Sequence, residues 1–285
     1  LDRRAGTATV TVAGPAVAPS GGAELHEAGA ACWPLAAGRE LDDAISRLRF
    51  HEPELGTWLL RTTGDPAAVI ATDEVLLAAD DWLAREITGL WKRTLRRLDA
   101  TSRSLIALVE PGSCFAGTLL ELALAADRQY MLDGVFDDGP RAPAVLVVGA
   151  MNAGPLPGAN GLTRLATRFG PARDQLGAVL AAAGKDLAAA EALQLGLVTA
   201  APDDLDWDDE IRLVISERAG FSPDALTGME ASLRFAGPES AATKIFGRLS
   251  AWQNWIFLRP NASGPQGALR RYGTGQRADF DRKRV

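Results

Sequence analysis

Residues Thr7 to Val12 (Thr-Ala-Thr-Val-Thr-Val) repeat with the two-residue period of a strand that buries one face. The turn-rich stretch from Gly14 to Gly22 ends it. From Arg39 to Phe50 the period changes, with Leu41, Ile45 and Leu48 at helical spacing and His51-Glu52-Pro53 as the stop. Thr57 to Thr63 (TWLLRTT) predicts a second strand. Asp73 to Leu98 predicts one long helix, with Leu76, Leu83, Ile87, Leu90 and Leu95 along one side. Ser104 to Val109 (SLIALV) is apolar at nearly every position, as a strand covered on both faces should be. Phe115 to Ala126 predicts a buried helix, and Arg128 to Leu132 and Ala144 to Val148 two more strands. Beyond residue 160 the spacing predicts helices over 160–169, 171–183, 187–195, 207–219, 222–235 and 239–257, with a short strand at Leu197-Val198. Strands alternating with helices imply β-α-β units on a parallel sheet.

Composition narrows the class. At 285 residues the chain is long enough for one large domain or two small ones, at about 150 residues per domain. No apolar run approaches the roughly 18 residues that cross a bilayer. With 30 basic and 36 acidic residues the net charge is −6, which argues against a nucleic-acid partner. Cys32 and Cys114 alone make no disulfide framework, and no segment reads as a signal peptide, so a soluble, cytoplasmic protein is expected. The first residue is Leu1 rather than Met, the mark expected of a domain cut from a longer polypeptide. Residues 259–285 carry seven basic side chains against Asp279 and Asp281, which predicts a solvated basic tail or a grip on phosphates or a partner.

Candidate chemistry is reached by elimination. His26 and His51 are the only histidines, so a Ser-His-Asp or Cys-His site would have to draw on one of them. Ser113 lies in Pro-Gly-Ser-Cys-Phe, which is no nucleophile elbow. No C-x-x-C, H-E-x-x-H or P-loop spacing occurs, so no metal site and no nucleotide hydrolysis are expected. The informative segment is Leu105 to Asp127, where an apolar strand leads through Pro111-Gly112 into a loop of small residues and then a helix carrying Glu121. Backbone N–H groups at such a helix start lack intrahelical partners, and two of them converging on one point make an oxyanion hole. A carboxylate among leucines and alanines has a raised pKa suited to acid–base work. On the residues alone, Glu121 reads equally well as a structural side chain that caps the helix or pairs with an arginine.

The same segment resembles the crotonase (enoyl-CoA hydratase/isomerase) superfamily through Glu121-Leu-Ala-Leu-Ala-Ala-Asp127, PGANGLTRL (Pro157 to Leu165) and DLAAAEALQLGLV (Asp186 to Val198). The resemblance implies an α/β fold, a crotonase-like (ClpP/crotonase) spiral of β-β-α units, with a core over 1–200, a helical region over 201–258 and the basic tail over 259–285. It implies an acyl-CoA substrate with no cofactor beyond the coenzyme A of that substrate. By its motifs, Glu121 becomes the catalytic carboxylate, and the backbone N–H groups of Gly117 or Thr118 and of Val69 become the oxyanion donors. Two departures stand out. The family's second glutamate falls on Ala150, with Asn152 nearby as a group that either hydrogen-bonds the backbone or orients a water, and the loop before Asp73 lacks the family's glycine. Arg234, Arg248 and Arg259 are candidates for the CoA phosphates, Trp252, Trp255 and Phe257 for a core or subunit contact, and Cys114 for a small buried thiol.

A narrower likeness, through EPGSCFAGTLLELALAAD, SPDALTGMEASLRFAGPE and RLSAWQNWIFLRPNA, is to the second half of ring-cleaving lyases of aerobic aromatic degradation. Those enzymes open an epoxidised benzoyl-CoA ring with water and release formate, and their chains carry two crotonase-like halves. Two readings follow: a ring-cleaving lyase or hydrolase acting through Glu121, or a non-catalytic half supporting a catalytic partner half. A generic enoyl-CoA hydratase stands third, and Ala150 counts against it. Pairing with another crotonase-like half, or a homo-oligomer, is the expected assembly.

Overall fold

The computed structural model describes residues 1–284. Four parallel strands, β1 (Thr7–Ala13), β2 (Thr57–Thr63), β3 (Ser104–Val109) and β4 (Arg128–Met131), lie side by side in chain order. The register runs Thr7 to Thr57, Thr57 to Ser104 and Ile106 to Arg128. Each crossover is helical: α1 (Gly22–Ala28) and α2 (Trp33–His51) join β1 to β2, α3 (Pro66–Ala78) and α4 (Trp82–Asp99) join β2 to β3, and α5 (Gly117–Ala125) joins β3 to β4. The two-residue period sorts the strand side chains between two cores. Trp58, Leu60, Leu105, Ala107 and Val109 face the main core with Ile45, Ile87, Leu95 and Leu119. Leu59, Ile106, Leu108 and Tyr130 face the other side, where Trp207, Ile211 and Val214 of α9 (Trp207–Gly220) cover them. Every residue of β3 is therefore buried, which accounts for its unbroken apolar run.

Downstream of β4 the chain is mostly helical: α6 (Arg164–Phe169), α7 (Arg173–Ala181), α8 (Ala189–Gln194), then α9, α10 (Pro223–Arg234), α11 (Ser250–Phe257), α12 (Pro260–Ser263) and α13 (Ala268–Arg271). Four expectations need correction. The single helix over 73–98 is two, because Asp65 and Asp81 each accept a backbone N–H (from Ala67 and Leu83) and so start α3 and α4 separately. The strand over Ala144 to Val148 is reduced to isolated bridges of Val147 with Ala116 and of Leu146 with Leu187. Leu197-Val198 is no strand, and pairing there falls on Ala200 opposite Tyr130. The helix over 239–257 opens as a π-helical turn, Thr243–Leu249, before α11.

The basic tail folds back on the body. Arg284 is 4% exposed and bonds to Ser104 Oγ (2.7 Å) and Glu230 Oε2 (3.1 Å). The three arginines expected at CoA phosphates are held internally: Arg234 by Asp127, Arg248 by Glu239, and Arg259 by Asp224 while stacked over Trp255. Cys114 is fully buried, and burial pushes its thiol up, as for an inert small side chain.

Candidate active site

The strand-turn-helix segment forms as the sequence implies. After β3 the chain turns at Gly112 (φ 81°), passes through the buried Ser113 to Ala116 and enters α5 at Gly117 (φ 43°). The left-handed conformation at Gly117 is open to a residue without a Cβ, and the backbone N–H groups of Gly117 and Thr118 are the expected donors there. Those donors are already taken. The Gly117 N–H donates to the Val147 carbonyl at 3.0 Å. The Thr118 N–H donates to Asp73 Oδ2 at 2.7 Å, and the Thr118 hydroxyl donates to Asp73 Oδ1 at 2.6 Å. Val69, wholly buried in the first turn of α3, donates its N–H to the Asp65 carbonyl at 3.4 Å. Asp73 thus rests a carboxylate where an incoming oxyanion would have to sit. A Cβ on Gly117 would fall far inside van der Waals contact with Asp73 Oδ2.

Asp73 is 3% exposed, and burial pushes its carboxyl up to about 7, against the pull of the two Thr118 hydrogen bonds. A raised folded-state pKa gives stability that is full below the unfolded value and is lost as pH rises through the folded value. Wild-type stability should therefore fall relative to Asp73→Asn by up to about 1.4 kcal/mol per pH unit between roughly pH 4 and 7. Urea unfolding of both proteins across that range measures it, and parallel curves would show that Asp73 does not titrate there.

Glu121 is fully buried, with both oxygens engaged. Arg164 Nη1 donates to Oε2 at 2.7 Å and Asn152 Nδ2 to Oε1 at 2.7 Å. Burial raises the carboxyl pKa, and the Arg164 charge and the Asn152 amide oppose that rise. Arg164 in turn forks onto Asp99, Nε to Oδ1 at 2.9 Å and Nη2 to Oδ2 at 2.7 Å. Asn152 also donates to the Gly117 carbonyl (2.9 Å) and accepts from the Gly149 N–H (2.8 Å), the backbone bonding that was one of its two readings, so its amide ties the turn to Glu121. Ala150 begins a short 3-10 turn, exposed at the surface. Of the predicted residues, Gly117, Thr118, Glu121 and Asn152 do converge, whereas the Val69 N–H is spent within α3. Sequence reasoning missed Asp73, Asp99 and Arg164. Arg164 was nonetheless visible as the arginine of GLTRL, and pairing with an arginine was one of the two readings of Glu121.

No family model matches the chain. The chain is 53% identical over 287 aligned positions to a benzoyl-CoA-dihydrodiol lyase of Aromatoleum evansii, covering 100% of this chain and 51% of that protein, so it spans about half the length of that relative. Among solved structures it resembles an enoyl-CoA hydratase of Geobacillus kaustophilus (TM-score 0.67, 16% identity, 98% of this chain and 94% of the other). It also resembles an enoyl-CoA hydratase of Mycobacterium smegmatis (TM-score 0.65, 13% identity, 97% and 95%). The chain thus carries the crotonase fold and, from end to end, is a homologue of one half of a benzoyl-CoA-dihydrodiol lyase.

Proposed function

We propose that this chain is one half of a lyase that opens the ring of 2,3-epoxy-2,3-dihydrobenzoyl-CoA with water, giving an open-chain semialdehyde thioester and formate, and that it supports a catalytic partner half. The likeness to a benzoyl-CoA-dihydrodiol lyase supports the first part. The second part is carried by one observation: the Thr118 N–H and both oxygens of Glu121 are already engaged, by Asp73, Asn152 and Arg164. An oxyanion hole stabilises developing charge only when its donors are free to meet it. General acid–base work requires a carboxyl within reach of the substrate proton. In this half the Thr118 donor is occupied and the Glu121 carboxyl is enclosed, which supports a role beside a catalytic partner half. The thioester oxygen and the water would be handled by the partner half, with no cofactor besides the coenzyme A of the substrate. Ala150 speaks against a generic enoyl-CoA hydratase, because its methyl group moves no proton. Among the described residues no helix is long and apolar enough to cross a membrane.

The test is Glu121→Gln in the full two-half protein, assayed with epoxybenzoyl-CoA. Turnover within a few-fold of wild type is expected. A fall of about a hundredfold or more at unchanged melting temperature would make Glu121 the acid or base and overturn the supporting role.

A further inference from the structure

Away from the sealed turn, at the opposite end of α5, lies a cavity of about 480 Å³. Leu124 of α5 and Arg128 of β4 line it together with Asn160 of the loop before α6, Arg168 of α6, and Met229 and Leu233 of α10. Its size falls in the range of small-molecule sites. Charge bookkeeping across its walls leaves a remainder. Arg164 is matched by Asp99 and Glu121, Arg234 by Asp127, and Arg218 by Glu230 at 3.4 Å. Arg168 has no carboxylate: its Nε donates to the Gly196 carbonyl at 2.7 Å and its Nη2 to Gln129 Oε1 at 2.9 Å, both neutral. Its Nη1 donates to no protein group among the described residues. Burial alone depresses its pKa, with no acidic neighbour acting against it. Arg128 donates to the Tyr130 hydroxyl at 3.3 Å and has Glu210 and Glu217 as acidic neighbours, so it is not a second unmatched cation. A half-buried cation without a counter-ion is costly, and an anion delivered by a ligand relieves that cost.

The walls also say what kind of anion. Met229 and Leu233 stand 46% and 68% exposed at the mouth, apolar surface that an apolar ligand body would cover. Asp99, Asp127 and Glu230 line the same space but are each paired with an arginine, so the unmatched wall charge is that of Arg168, which one carboxylate balances and a phosphate dianion exceeds. We propose that this cavity binds a small organic carboxylate, its carboxylate accepting from Arg168 and its apolar body lying against Leu124, Met229 and Leu233. The site requires neither the ring-opening activity nor a partner half.

The test is calorimetric titration of the whole chain at fixed ionic strength with benzoate, with its neutral isostere benzamide and with inorganic phosphate. Benzoate is expected to bind the wild type, with benzamide and phosphate each weaker by about tenfold or more. Arg168→Gln should weaken benzoate by more than about tenfold while leaving benzamide unchanged. Met229→Trp, which fills the mouth and keeps the charge, should weaken benzoate and benzamide together, and it carries the test if Arg168→Gln does not fold. The proposal is overturned if the wild type binds no benzoate, if phosphate binds the more tightly, or if the folded variants bind benzoate as well as the wild type does.

Discussion

Replacing Arg164 by methionine is expected to cost about 3–5 kcal/mol of stability, because it strands two buried carboxylates at once. Arg164 is 5% exposed and spends its guanidinium on Asp99, on Glu121 and on the Leu156 carbonyl. Methionine fills similar volume, so the loss is electrostatic rather than a packing void. Without the cation, Glu121 keeps only the Asn152 amide, and the rise that burial imposes on its carboxyl is no longer opposed by a charge, so the folded state holds its proton to a higher pH than the unfolded chain does. The deficit should therefore be smallest in mild acid and grow as pH rises. Adding Glu121→Gln to Arg164→Met should recover part of it, since a neutral amide needs no counter-ion. Guanidinium unfolding of wild type, single and double variants at two pH values measures each step. A single-variant loss under about 1 kcal/mol, the scale of a surface pair, would mean that the cluster does not organise the site.

How far the residues foretold this arrangement depends on the range of the interactions involved. Thr57–Thr63 and Ser104–Val109 occupy the positions their two-residue period implies, because that period reports burial between neighbouring strands directly. Ala144 to Val148 carries the same letters, yet it meets its neighbours Ala116 and Leu187 at single positions only, and no local pattern reveals the lack of a full-length partner. The apolar stripe from Asp73 to Leu98 continues straight across Asp81, so periodicity favours one helix; the cap at Asp81 favours two, and the cap prevails. At the site, the strand-turn-helix geometry and the convergence of Gly117, Thr118, Glu121 and Asn152 were legible from motif spacing. The occupation of the Thr118 donors by Asp73 was not, because it joins residues 45 apart through side-chain direction, which composition and spacing do not encode. The arginines 234, 248 and 259 illustrate the same gap: type and number suggested phosphate contacts, whereas their internal carboxylate partners appear only in the fold.

Gly117→Ala should destabilise the chain by roughly 3 kcal/mol or more, from two separable sources. The first is conformational: φ of 43° lies in the left-handed region, which costs a residue with a Cβ about 1–2 kcal/mol. The second is steric, since the new methyl would overlap Asp73 Oδ2 and crowd Ile70 Cδ1. Asp73 cannot simply swing aside, being held by the Thr118 N–H and hydroxyl and buried at 3% exposure. Truncating it as Asp73→Ala removes the steric part and leaves the conformational one. The double variant Gly117→Ala/Asp73→Ala should then be less damaged than the sum of the two singles, a coupling that a double-mutant cycle by chemical unfolding reads directly. Additive losses would mean that the carboxylate does not rest on the turn. The Thr118 donor would then be open to a ligand oxygen, and the supporting role assigned to this half would lose its basis. Strong coupling fixes the carboxylate over residue 117, where it competes with any thioester oxygen for the Thr118 N–H.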